Sequence, residues 1–171
     1  MEANSITGIF FHLFSRAGEP EMLIHMSSSK NMAGLFFLSL VTSAFFLNFA
    51  WESFHGLLFQ NHPVMPASRY VPMMVEMSLY DASGIVAFYL VVSACLRILL
   101  WPTIPANVMI YLAVALLGAA AIEFVAVHVL HEWAYLPSMP AVFGIGVLPL
   151  VQLPLTGLAS IVLARRFSSL P

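Results

Sequence analysis

Apolar positions fall into four long blocks, separated by short connections that are polar or rich in proline. The blocks run from about Ala33 to Phe59, Ser78 to Trp101, Pro105 to His131 and Pro140 to Ala164. Each exceeds the roughly 20 residues a helix needs to cross about 30 Å of hydrocarbon. Pro102 and Pro105 punctuate "WPTIPAN", and Pro137 and Pro140 punctuate "YLPSMP"; a proline in the first turn of a helix loses no hydrogen bond. The pattern predicts an all-α fold, a polytopic membrane four-helix bundle forming a single domain. Ahead of it, "SITGIFFHLFSRAGEP" holds an apolar run too short to span. Residues 1–30 are therefore expected to hold a short interfacial helix, with His12 and His25 at the membrane surface. The longest connection, "QNHPVMPASRYVPMM", contains three prolines and reads as a structured lid.

Composition supports the membrane reading. Hydrophobic residues make up 61% of the chain and charged residues 8%, against about 25% charged in a soluble domain. Mean hydropathy is +0.93. The net charge of −2 and the lack of any basic run argue against a nucleic-acid partner. A lone cysteine, Cys95, leaves no disulfide within the chain and no thiolate zinc site. The start "MEANSITGIFF" is acidic and does not read as a cleavable signal. Arg16, Lys30, Arg97, Arg165 and Arg166 fall on one side of a four-span topology and only Arg69 on the other. That bias predicts a multi-pass protein of the inner (plasma) membrane with cytoplasmic termini.

Charge inside the blocks carries the functional signal. In "LNFAWESFHG", Glu52 follows nearly twenty apolar residues; Asp81 opens the second block in "SLYDASG"; Glu123 stands in "AAAIEFVAVHVLHEW". At 1.5 Å per residue these acids reach similar depth in the outer leaflet, from three different helices. An isolated acid there costs several kcal/mol, so the expected arrangement turns them inward to share protons, donors or a ligand. Each has a plainer reading. Glu52 at headgroup level would bond to water, and Asp81 in a first turn would serve a helix N-terminus. Glu123 follows the small-residue surface "LLGAAAIE", which favours a neighbouring helix over lipid.

Around the acids, His55 lies one turn after Glu52 and Asn48 one turn before it. Trp51, Trp133 and Tyr135 fit either an aromatic belt or a substrate wall, and Tyr80 adds to the aromatic wall at that depth. The pair Glu52 and His55 has the E-x-x-H spacing of di-iron bundles. A metal, if one binds, would draw on Glu52, His55, Glu123, His128 and His131, although a second E-x-x-H is missing. No cofactor is expected. Glu76 and Glu132 read as solvated charges. In the last block, Pro149 and Pro154 free backbone carbonyls. The expected result is a kinked packing helix or an apolar pocket beneath the acids, with Gln152 in its wall.

An acid layer above an apolar pocket suits proton transfer to a lipophilic alkene or epoxide. A desolvated carboxyl can act as general acid while a second takes the proton back, and aromatic walls stabilise developing positive charge. "LNFAWESF", followed by "SLYDASGIVAFYLV", resembles the W-E and downstream aspartate pattern of small membrane-integral terpene cyclases. The resemblance implies a first acid at Glu52 beside Trp51, a second at Asp81, and protonation of a terminal epoxide or alkene. It covers residues 47–91; those cyclases have more spans. The second half is similar instead to a pattern of bacterial four-span inner-membrane proteins, with E, W-x-Y, M-P, G-x-G and P-x-x-Q in order.

Three readings follow. The first is an isomerase or cyclase of an isoprenoid-like substrate using Glu52, Asp81 and Glu123, with Asn48, Trp51, His55, Tyr80, Trp133, Tyr135 and Gln152 binding that substrate. The second is a binding or transport protein for a metal, proton or other cation. The third is an accessory subunit, its acids buried against a membrane-protein partner or a second copy. Membrane lipid and a lipophilic small molecule are the other expected partners.

Overall fold

The computed structural model describes residues 19–170, with side-chain detail from residue 31. Four long helices dominate: α1 (Glu19–His55), α2 (Ala67–Leu96), α3 (Pro105–Phe124) and α4 (Val147–Phe167). The segments Asn31–Leu58, Ala67–Leu96, Pro105–Leu130 and Val147–Phe167 are long and apolar enough to cross a membrane. The fold is the expected all-α four-helix bundle of a multi-pass membrane protein. The part of the interfacial reading that covers residues 1–18 lies outside the described residues, and residues 19–30 are the continuous start of α1.

Buried positions recur every fourth residue on α1 (Phe36, Leu40, Ala44, Asn48, Glu52) and on α3 (Tyr111, Ala115, Ala119, Glu123). A four-residue step keeps side chains on one face of a 3.6-residue helix, so each stripe faces a neighbour along its length. The stripes change chemistry from end to end. At one end they are apolar and aromatic: Tyr89 stacks on Trp101 with centroids 5.0 Å apart, Phe36 leans on Tyr89 at 5.1 Å, and Arg165 donates to the Trp101 carbonyl at 2.7 Å. At the other, acidic end they carry Asn48, Glu52 and Glu123.

Three helix starts differ from the sequence reading, and the first is α1, which begins at Glu19 rather than Ala33 and so takes in residues read as part of a separate interfacial segment. Helix α2 begins at Ala67 rather than Ser78. Arg69, Pro72 and Glu76 mark that stretch as loop, but Pro72 is early enough in the helix to forfeit only one backbone bond. Asp81 therefore sits well inside α2, and its reading as an N-terminal anion is wrong. Helix α4 begins at Val147 rather than Pro140. Ala141–Val142 and Ile145–Gly146 pair as a small antiparallel hairpin instead. Phe143 and Gly144 turn it at φ 52 and 77, the left-handed pair that two-residue hairpins use. Pro149 thus lies in the first turn of α4, where it frees no carbonyl of the helix, and Pro154 alone interrupts the ladder.

The expected lid is ordered. Its first half holds a single-turn helix at His62–Val64 and follows another at Gly56–Leu58, while its second half, from Ala67, is the start of α2 rather than loop. Gln60 N–H bonds the Ala134 carbonyl at 2.9 Å, and Leu136 N–H bonds the Leu58 carbonyl at 2.8 Å. These bonds tie the lid to the α3–α4 connection across the acidic end. Gly56 lets α2 close against α1, since a Cβ there would stand 2.8 Å from the Tyr70 hydroxyl.

Candidate functional site

The acidic end encloses a cavity of about 680 Å³. Glu52 from α1, Asp81 from α2 and Glu123 from α3 all line it. Gln152 from α4 joins the first two: its amide nitrogen donates to Glu52 Oε1 at 2.7 Å and to Asp81 Oδ2 at 2.7 Å. The same nitrogen lies 3.1 Å from Asn48 Oδ1, which also accepts from the Thr156 hydroxyl at 3.1 Å. Asn48 in turn donates to the Ala44 carbonyl at 2.8 Å. Held on one amide nitrogen, the Glu52 and Asp81 carboxyl groups are close neighbours, an arrangement in which one proton shared between them relieves like-charge repulsion. Gln152 is fixed by the late start of α4. It lies five residues past Val147, about 8 Å down the helix axis. That places it within the acid layer, not below it.

Glu123 has its own holders. Helix α3 widens into a π-helical turn at Val125–Leu130 and ends with His131 at φ 55. The chain then doubles back, so that Trp133 Nε1 donates to Glu123 Oε2 at 3.4 Å and the Tyr135 hydroxyl donates to the same oxygen. Such widened turns recur where a helix must re-aim its side chains. Burial, then the bond to Glu123, pushes the Tyr135 phenol above the ordinary tyrosine value. It stays a donor across the whole neutral range.

His55 also faces the cavity and is 6% exposed. Neither of its ring nitrogens has a hydrogen-bond partner; Nδ1 stands 3.7 Å from Glu52 Oε2. Phe59 separates His55 from His62, whose Nδ1 lies 2.8 Å from the Gly56 carbonyl. Opposite, Met73, Met74 and Met77 of α2 form an adaptable apolar wall, with Ile122, Leu153 and Ala119. The cavity spans the acid layer, lined by Phe59 and His62 on the lid side and by Ala119 and Leu153 farther along α3 and α4.

Seven of the ten residues named for catalysis and substrate binding line this one cavity: Glu52, Asp81, Glu123, His55, Tyr80, Trp133 and Gln152. Asn48 and Tyr135 stand behind it, holding Gln152 and Glu123. Trp51 does not line it; its half-buried indole points elsewhere on α1, one residue round from Glu52. The five residues read as a metal set divide. His128 is exposed and stacks on Phe124, and His131 is exposed and turned to the Val127 carbonyl. Among the described residues no three possible ligands gather in a geometry to hold a metal ion.

Sequence reading missed Phe59, His62, the three methionines, Glu132 and Thr156. Two signals could have found some of them. Thr156 is one turn after Gln152, and Met73 and Met77 share the four-residue spacing that ends at Asp81's level. No family model, curated protein or solved structure matches this chain.

Proposed function

We propose that the protein is an integral-membrane enzyme that isomerises or cyclises an isoprenoid-like lipophilic substrate by acid–base chemistry, without redox change. One observation carries this reading: carboxyl groups from three separate spans face one cavity whose wall is otherwise mostly methionine, aliphatic and aromatic, with His55, His62, Glu132 and Gln152 among them. The proton held between Glu52 and Asp81 is delivered to an alkene carbon or an epoxide oxygen. Glu123, across the cavity, accepts the proton lost from the adjoining carbon, so the substrate changes connectivity and not composition. Tyr135 and Trp133 hold the receiving carboxyl in place, and Gln152 holds the donating pair. Aromatic faces of Phe59, Tyr80 and Trp133 stabilise the cationic intermediate. No cofactor enters this scheme. The lysine and arginine bias supports a plasma-membrane protein with cytoplasmic termini. The cavity then lies in the outer leaflet.

A second reading, binding or transport of an organic cation or protons, draws support from the lining itself. No lysine or arginine among the described residues faces the cavity to neutralise its acids. Glu52→Gln separates the two. Enzymatic use of Glu52 is expected to drop turnover by about 10²–10⁴-fold, with the variant still folded and substrate still bound. Loss of cation binding, with no product from the parent protein on any isoprenoid substrate, supports the second reading. Undiminished turnover in Glu52→Gln contradicts the first.

A further inference from the structure

The cavity's polar lining is lopsided. Nearly every donor on it is already committed to the protein. Gln152 gives its amide hydrogens to Glu52, Asp81 and Asn48. Trp133 donates to Glu123 and the Tyr80 hydroxyl to Glu76 at 3.0 Å. His62 Nδ1 faces a carbonyl, which only accepts, so its hydrogen is there and its Nε2 is left as an acceptor. What remains open toward the cavity is acceptor-rich: the other oxygens of Glu52, Asp81 and Glu123, the Glu132 carboxyl at the mouth, and one nitrogen of the unpartnered His55 imidazole, whose other nitrogen is the one donor left. A buried imidazole with neither nitrogen bonded is destabilising until something bonds to it.

The cavity also reaches the side of the bundle. Tyr80 is 63% exposed and Ile122 48% exposed, yet both line it. They neighbour Asp81 and Glu123 in sequence, so this opening lies at the depth of the acids, in the membrane, and between α2 and α3. Met77, on the same stretch of α2, continues the apolar track inward.

We propose that the cavity is a lipid-side site. It admits a single-chain amphiphile from the bilayer between α2 and α3. The head of that molecule donates hydrogen bonds and carries no negative charge, an alcohol or an amine, and it ends at His55 and Glu132, which leaves the reacting alkene or epoxide of the chain beside Glu52, Asp81 and Glu123. Its chain leaves past Met77, Tyr80 and Ile122. Anionic heads are repelled by the carboxyl groups, and ether or hydrocarbon heads leave the acceptors unmet. This deepens the proposed function by naming how the substrate must be built, and it rests on that cavity being the substrate site.

The test uses the full chain in lipid nanodiscs and four photoreactive C16 probes that differ only in the head: alcohol, amine, methyl ether and sulfonate. Labelled residues are located by peptide mass spectrometry. The alcohol, the amine or both are expected to label the wall at Met77 and Ile122 about tenfold or more above the ether and the sulfonate. The ratio of alcohol to amine assigns the head. Ile122→Trp, which fills the opening, is expected to cut that labelling by a similar factor. Leu117→Trp, on the lipid-facing side of α3 and 72% exposed, is expected to leave it unchanged. Equal labelling by the sulfonate or the ether overturns the proposal, as does labelling confined to other lipid-facing residues or untouched by Ile122→Trp. Labelling that follows the expected pattern, with no conversion of any such amphiphile, leaves this inference standing and removes the catalytic reading.

Discussion

At the scale of single residues, Gln152 is the hinge of the site. One amide with two hydrogens faces three acceptors from two other helices. Gln152→Leu removes the donors while keeping the volume, and leaves buried carboxyl oxygens unmet at roughly 1–3 kcal/mol in all. The expected outcome is a lower melting temperature in detergent and a loss of turnover larger than the loss of folded protein. Tyr135 offers a cleaner pH signature, because it lies in the α3–α4 connection, outside the spans. Its folded-state value is raised by burial and by Glu123, so its contribution to stability is fully present below the ordinary tyrosine value of about 10. Above that pH the unfolded chain loses the phenolic proton while the folded chain keeps it, so stability falls. Tyr135→Phe is expected to remove this alkaline component of the decline, measured by thermal unfolding between neutral and alkaline pH, and to slow turnover. Glu52, Asp81, Glu123 and Gln152 were legible in the sequence for one reason: each is a polar side chain set in an apolar run, where lipid exposure is costly. His62, Phe59 and Glu132 were not, because their positions follow from how the lid folds back, and no local pattern encodes that.

At the scale of elements, the number and kind of helices were legible while their ends were not. Apolar blocks of membrane length are unambiguous, but the first turns of α2 project beyond them, with Arg69 and Glu76 exposed. Hydropathy alone reads such turns as loop. The shifted start of α4 mattered more, since it lifted Gln152 into contact with the acids. Close packing below the site is set by Gly157, where any Cβ would overlap the buried Tyr111 hydroxyl and press on Ile85 at 3.2 Å. Tyr111 in turn reaches the Leu153 carbonyl at 3.5 Å, so α3 and α4 meet just under the cavity floor. Gly157→Ala is expected to destabilise by about 1–3 kcal/mol through overpacking. It should appear as a lower thermal midpoint in the same detergent. A variant as stable as the parent would show that the two helices do not approach this closely.

At the scale of the whole molecule, the bundle is divided along its axis. One end is an aromatic plug built on Tyr89, Trp101, Tyr111 and Arg165; the other is a polar chamber under a hydrogen-bonded lid. Both functional proposals stand on the chamber being shared by acids that the chain supplies from three separate spans. Solid-state NMR on the uniformly labelled protein in lipid bilayers reads this directly. Through-space correlations are expected from the Gln152 side-chain nitrogen to the carboxyl carbons of both Glu52 and Asp81, and from the Tyr135 ring to the Glu123 carboxyl carbon. Absence of these correlations in the folded protein, with the three carboxyl carbons correlated to lipid or bulk water instead, would contradict a common site.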